Sequence, residues 1–348
     1  MRFVMNILAV LCMMLAAACT ERESSIPDWP WADPEEEPAP VPEVVDPNQT
    51  YVDAGWSNVG DLYGELPEYV NIYKAPSELE GKSVVAYVAV ADMSKASWDV
   101  WSVKADESYK TADSYRTPSE VYEQEKCPVI INGGYFFYEG ANYTSSLAVS
   151  KGELLAYNIN YASEDWVKIY SPTRAAFLQK KDGTFDACWT FWNSPKHFTY
   201  QKPAANSYSE EPKQVPSANY PEKAVEFEAE TAIGGGPVLI NAGKFANTWA
   251  DEMFDVGGVN PTSDHPRTAI GVTSGKKLIF FVCEGRNQTE GVAGLTTEDL
   301  ANVLLDLGCV EAINLDGGGS SCMLVNGKET IKVSGGSQRA VASTVMIR

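Results

Sequence analysis

The chain has 348 residues, of which 44% are hydrophobic and 21% charged, and carries a formal net charge of −20. The length allows a large core, and the acidic balance argues against a nucleic-acid partner. Two histidines far apart, and seven cysteines without a C-x-x-C pair, give poor support to a zinc site or a disulfide framework.

At the N-terminus, Arg2 precedes an apolar run from Phe3 to Leu15, and Ala16–Ala17–Ala18–Cys19 follows. A basic start, a short apolar core and small residues describe a secretory signal, too short to span a bilayer. The cysteine after the small residues resembles a bacterial lipobox. Residues 1–19 are therefore expected to be a lipoprotein signal peptide, with Cys19 lipidated and the protein anchored in the bacterial cell envelope by buried methylenes, about 0.8 kcal/mol each. Seven prolines between Ile26 and Pro47 mark 20–50 as an acidic tether. Residues 20–80 hold fifteen Asp and Glu against two Lys and Arg, so −13 of the net −20 belongs to this part of the chain. Residues 51–83 read as an N-terminal extension and 84–348 as one domain.

In that domain, short β-branched or aromatic runs bounded by turn residues predict strands at Val84–Val90, Trp98–Val103, Val129–Asn132, Ser146–Val149, Ala175–Gln179 and Thr231–Ile233. Further strands are expected at Val238–Ile240, Thr268–Val272, Leu278–Cys283, Ala312–Leu315, Cys322–Val325 and Val345–Ile347. Thr296 and Asp299 have capping-box spacing, Leu300, Val303, Leu304 and Leu307 recur at helical intervals, and Gly308 closes the helix. A weaker helix is expected at Pro118–Glu125. The polar stretch from Asn193 to Pro221 reads as a loop or excursion, equally a surface feature or the rim of a site. The fold class is α+β, a mixed β-sheet core with few helices.

Several apolar runs end in glycine. Ile131–Asn132 meets Gly133–Gly134, Ile233 meets Gly234–Gly235–Gly236, Cys283–Glu284 meets Gly285, and Leu315–Asp316 meets Gly317–Gly318–Gly319–Ser320. Bare glycine amides can form a concave nest for an anion, and Asp316 would stand at its lip. These strand-end loops are expected to form the site.

The segments Ile-Asn-Gly-Gly-Tyr-Phe (131–136), Gly-Gly-Gly-Pro-Val-Leu (234–239), His-Pro-Arg-Thr-Ala-Ile-Gly (265–271), Glu-Gly-Arg (284–286) and Asn-Leu-Asp-Gly-Gly-Gly-Ser-Ser (314–321) occur in this order. Together they resemble the phosphodiester glycosidase domain, with Glu284 where the family more often has Asp. The resemblance implies hydrolysis of the bond between an anomeric sugar carbon and a phosphodiester oxygen. The phosphate leaving group needs little acid assistance, whereas its charge needs neutralising and the oxocarbenium-like carbon needs a carboxylate. Against that chemistry, Asp316 is expected as nucleophile or base and Glu284 as second carboxylate. Arg267 and Arg286 are the best phosphate clamps, with Arg339 a third candidate and His265 a donor or a loop-shaping residue. Asn132 and Asn314 would bond sugar hydroxyls or cap strand ends, and Tyr135 and Phe136 would stack on sugar or join the core. Gly133, Gly134, Gly317, Gly318, Gly319 and Ser320 would line the substrate. No cofactor is required. The expected partners are a carbohydrate phosphodiester and, through the lipid anchor, a membrane. A non-catalytic sugar-phosphate-binding lipoprotein and a phosphodiesterase holding Ca²⁺ or Mg²⁺ on Asp316 and Glu284 stay open as alternatives.

Overall fold

Alternation along single strands sets the layering. In the strand Lys277–Cys283, Leu278, Phe280 and Val282 enter one core, while Ile279, Phe281 and Cys283 enter another on the opposite face. Both faces are thus buried, which explains a nearly continuous apolar run. The computed structural model describes residues 48–137, 143–255 and 258–348. The signal segment, Cys19 and nearly all of the tether lie outside the described residues.

Three large sheets carry the domain, so the fold is α+β and mainly β. The eight-stranded sheet runs in the order Ser57–Asn58, Val70–Lys74, Ala86–Asp92, Lys277–Cys283, Arg267–Thr273, Cys309–Asn314, Val238–Asn241, Lys244–Phe245. A seven-stranded sheet centres on Phe185–Asn193, Arg174–Gln179 and Thr231–Gly234, and a five-stranded sheet on Val129–Asn132 and Ser343–Ile347. One core cluster draws on all three sheets, with Ile72, Phe280, Phe177, Trp189, Ile131 and Val345 among its members.

The expected mixed sheet is corrected: every ladder among the described residues is antiparallel. The reason is visible at the helical crossover through Thr297–Asp306. Lys277–Cys283 and Cys309–Asn314 run parallel, but Arg267–Thr273 lies between them and pairs antiparallel with both. The crossover helix, Thr297–Asp306, has the expected capping box from Thr296 and Asp299, and Gly308 follows in the left-handed region at φ 81°. Leu300, Val303, Leu304 and Leu307 cover the outer face of the eight-stranded sheet. The helix at Pro118–Glu125 is also present, capped by Thr117 and Glu120.

The 51–83 segment is built into the domain. Its strand Val70–Lys74 pairs with Ala86–Asp92, and Lys82 bridges Asp264 at 2.6 Å and Asp299 at 2.7 Å. The 193–221 excursion is corrected in part. It contains the strand Lys196–Tyr200, which pairs with Phe185–Asn193, and none of its residues lines the cavity described below. All five cysteines among the described residues are buried and unpaired.

Candidate active site

Strand ends from all three sheets converge on one cavity of about 330 Å³. Cys309–Asn314 delivers Asp316 and Gly317–Gly319, Lys277–Cys283 delivers Arg286, and the start of Arg267–Thr273 delivers His265 and Arg267. The five-stranded sheet contributes Tyr135 after Asn132 and Arg339 before Ser343, and the seven-stranded sheet contributes Arg174 and Gly235. The glycine-ended loops therefore do meet.

The bare-amide nest, however, is not what forms. Gly317 N–H donates to Asp316 Oδ1 at 2.9 Å, Gly318 N–H to the Pro266 carbonyl at 2.8 Å, and Ser320 N–H to the Gly317 carbonyl at 3.1 Å. The glycines instead make room for arginines. A Cβ on Gly318 would lie 2.7 Å from Nη2 of Arg286, and one on Gly319 would overlap the Arg339 guanidinium. Gly318 also sits at φ 58°, where glycine carries no Cβ penalty. Both guanidiniums thus lie against the backbone of the Asp316 loop. Arg339 also donates to Ser320 Oγ at 3.3 Å.

Asp316 is the one carboxylate among the described lining residues. Burial pushes its pKa up to about 6, against the opposing pull of the Ser320 hydroxyl, Arg339, the Gly317 amide and Arg286. Desolvation thus outweighs two nearby cations, which keeps a titratable carboxyl at the cavity wall.

Other expected site residues take different places. Glu284 is 3% exposed and does not line the cavity; its Oε1 accepts the Lys332 amide at 2.9 Å and its Oε2 has no partner. Glu284 follows a strand buried on both faces, and its carboxylate is enclosed beside Lys332 rather than set in the cavity wall with Asp316. Arg267 reaches the cavity wall but is 2% exposed, and donates to the carbonyls of Leu295, Val259, Asn260 and Ser263 at 2.8–3.0 Å. Four of its five N–H groups hold the loop that carries His265. That leaves it a loop brace rather than a free clamp.

Asn132 and Asn314 act as staples between loops. Asn132 Nδ2 donates to the Asp316 carbonyl at 2.7 Å, and its Oδ1 accepts Thr268 Oγ1 at 2.8 Å and the Cys322 amide at 3.1 Å. Asn314 Nδ2 donates to Tyr135 Oη at 2.8 Å, to the Gly236 carbonyl at 2.9 Å and to the Leu315 carbonyl at 2.7 Å. Gly133 and Gly134 leave no space for a Cβ against Ser343, Ser146 and the Gly234 carbonyl, and do not line the cavity. His265 does line it, with a buried and unpartnered Nδ1, and burial together with Arg267 and Arg286 lowers its pKa. Both effects favour the neutral imidazole, against the weaker pull of Asp264.

Two features were not legible in the motifs. The first is most of an apolar wall: Phe137, Ile159, Tyr161 and Phe254 join Tyr135 and Phe136, the two aromatics expected from the sequence, and give the cavity an aromatic side beside its arginines. The second is Arg174, which no glycine loop or spacing flags, packed beside the buried Glu252. Among the described residues no group of three or more His, Cys, Asp and Glu is placed to hold a metal ion.

The sheet ends of this β-rich domain thus enclose, among the described residues, one carboxylate, several guanidiniums and an aromatic wall. The chain belongs to the phosphodiester glycosidase family, which it matches over residues 125–348. It is 41% identical over 100 residues to the SPbeta prophage-derived uncharacterized protein YomE of Bacillus subtilis (strain 168), a match that takes in 29% of this chain and only 14% of that protein. The fold is that of the zebrafish N-acetylglucosamine-1-phosphodiester alpha-N-acetylglucosaminidase catalytic domain auto-inhibited by its pro-peptide. That likeness has a TM-score of 0.54 at 20% identity over 84% of this chain and 88% of that one. A hypothetical protein from Synechocystis is similar at a TM-score of 0.53 and 14% identity, over 84% of this chain and 67% of that one.

Proposed function

We propose that this protein hydrolyses the sugar C1–O bond of a sugar-1-phosphodiester, with Asp316 as the carboxylate at the anomeric carbon and Arg286 and Arg339 on the phosphate. The observation that carries this reading is the pairing of Asp316 with two guanidiniums that Gly318 and Gly319 admit to the same loop. Phosphate charge is neutralised where it leaves, and a phosphodiester departs as a phosphomonoester without needing a strong acid. A carboxyl with a pKa of about 6 is mostly ionised at neutral pH and serves as nucleophile or as base for water. Neutral His265, on the same rim, supplies a hydrogen bond to a phosphate oxygen. Tyr135, whose hydroxyl is fixed by Asn314 and the Gly236 carbonyl, offers its ring to the sugar face. The substrates are glycans of the cell surface or taken up from outside, met by a lipoprotein anchored through Cys19.

The deciding experiment is turnover of α- and β-linked sugar-1-phosphodiesters by wild type and Asp316→Asn, with free sugar and phosphomonoester both measured. Sugar release that collapses at least about 10³-fold in the variant is expected, as for loss of a central carboxylate. Binding of sugar phosphates with no turnover on any substrate would replace the enzyme by a binding protein. Cys19→Ala is expected to abolish incorporation of labelled fatty acid and release the protein from membranes, and unchanged labelling would remove the anchor.

A further inference from the structure

Arg174 is a cation of the cavity wall for which the reaction above has no use. It opens the strand Arg174–Gln179 of the seven-stranded sheet, whereas Asp316, Arg286 and Arg339 are carried by strands of the other two. It lines the cavity and yet is only 8% exposed. Nη1 donates to the backbone carbonyl of Glu252, and the guanidinium lies 4.5 Å from the centre of the Phe254 ring. Nε has no acceptor, and among the described residues no carboxylate forms an ion pair with it.

The two nearest acidic groups act on Arg174 through space, Glu252 the more strongly, and neither gives it a side-chain hydrogen bond. The Glu252 carboxylate is spent on the amides of Ala175 and Val238, on Trp189 Nε1 and on Thr248 Oγ1, at 2.7–3.2 Å. Asp255 acts on Arg174 only at longer range. A buried guanidinium without a bonded anion is costly, and a ligand anion would offset that cost. The phosphate end of the cavity is already occupied by Arg286 and Arg339. Tyr135 and Phe254, with rings 5.5 Å apart, connect the two ends: Asp316 acts on Tyr135, and Phe254 carries Arg174. Arg174 enters the cavity from a different sheet than Asp316, Arg286 and Arg339, and that separate origin is the ground for assigning it a second anion.

We propose that Arg174 forms a second anion subsite that receives a carboxylate borne by the sugar ring, so that the preferred substrates are 1-phosphodiesters of acidic, uronate-type sugars. This rests on the phosphodiester reading of the same cavity. A cavity of about 330 Å³ is at the small end of ligand sites, so the two anions belong to one ring and its phosphate rather than to a long glycan.

The test is equilibrium binding of matched pairs, glucose 1-phosphate against glucuronic acid 1-phosphate and galactose 1-phosphate against galacturonic acid 1-phosphate, by calorimetry. Wild type, Arg174→Met and Arg174→Lys are compared, each with its fold checked by circular dichroism. The expected result is that wild type binds the uronate of at least one pair about 10-fold or more tightly than its neutral partner, as a charge-assisted bond supplies. Arg174→Met loses that preference with the neutral sugar changed less than about 3-fold, and Arg174→Lys keeps part of it. Equal binding within both pairs by wild type, no binding of any member, or equal weakening of both members in a folded Arg174→Met overturns the subsite. Should Arg174→Met not fold, wild-type selectivity and Arg174→Lys decide the matter. Tight uronate binding without turnover of any phosphodiester would remove the proposed reaction and leave the subsite standing. Turnover indifferent to the carboxylate would do the reverse.

Discussion

At Asp316, function and stability pull in opposite directions. The folded protein holds this proton up to about pH 6, whereas an unperturbed carboxyl releases it near 3.8. Stability therefore falls as pH rises through that window, and above it the ionised carboxylate costs about 1–3 kcal/mol. Asp316→Asn keeps an acceptor for the Gly317 amide and removes the charge. It is expected to raise the melting temperature by a few degrees at pH 7.5 while abolishing turnover, with no gain at pH 4. Wild-type turnover should fall as pH drops through about 6, because the carboxylate must be ionised to act. A profile flat to pH 4.5 would take Asp316 out of the rate-determining chemistry. The neighbouring glycines give a second residue-scale prediction. Gly319→Ala puts a methyl where the Arg339 guanidinium lies, and that flexible side chain can move aside. The expected outcome is a rise in KM for a phosphodiester of about 10-fold or more with little change in melting temperature, since a charge-assisted contact is lost and no core is disturbed. Unchanged kinetics would free Arg339 from substrate.

The strand ends and the loops that follow them divide the arginines into two kinds. Arg267 braces its loop through four backbone carbonyls, and the same loop is tied from outside by Lys82 on Asp264 and through Asp299 to the helix cap at Thr296. Arg286, three residues past Cys283, the position that pairs with Arg267 on the neighbouring strand, makes no hydrogen bond through its guanidinium among the described residues and is exposed. Arg267→Met should therefore cost about 3 kcal/mol or more of stability, because it strands buried carbonyls. Arg286→Met should leave the unfolding midpoint unchanged and weaken phosphate binding. Denaturant titrations of the two variants beside sugar-phosphate binding check this, and the reverse assignment would follow if Arg286→Met alone lowered the midpoint. The sequence places both arginines after or before glycine-marked strand ends, which is why both look like clamps there. What separates them is the company each keeps: the preceding loop curls its Val259, Asn260 and Ser263 carbonyls onto Arg267, and Leu295, 28 positions away, supplies the fourth. Glu284 differs from expectation for the same reason, since its partner amide comes from Lys332, 48 positions away.

At the scale of the molecule, the legible part was the part that repeats a local rule. Strands ending in Gly133, Gly234, Gly285 and Gly317 are readable, as are the helix Thr297–Asp306 with its capping box and the weaker one at Pro118–Glu125, and the convergence of the strand ends gives the cavity. The strand Phe185–Asn193 was less so: Phe185, Ala187, Trp189 and Phe191 face the core, but Cys188 and Trp192 on the other face blur the alternation. Arg174 is visible only after the seven-stranded sheet is assembled. That assembly also governs how the protein should come apart. One core cluster takes side chains from all three sheets, and the cavity is walled by ends of all three, so no sheet can leave without opening both. Unfolding is expected as a single transition, and a ligand of the cavity should shift the whole of it. At 100 times its Kd a ligand adds about 2.7 kcal/mol to the folded state. Calorimetry of Asp316→Asn with a bound phosphodiester, which that variant cannot turn over, should show one endotherm displaced to higher temperature without broadening. Two endotherms, of which the ligand moves only one, would mean that a sheet unfolds independently and that the shared core does not bind the three into one cooperative unit.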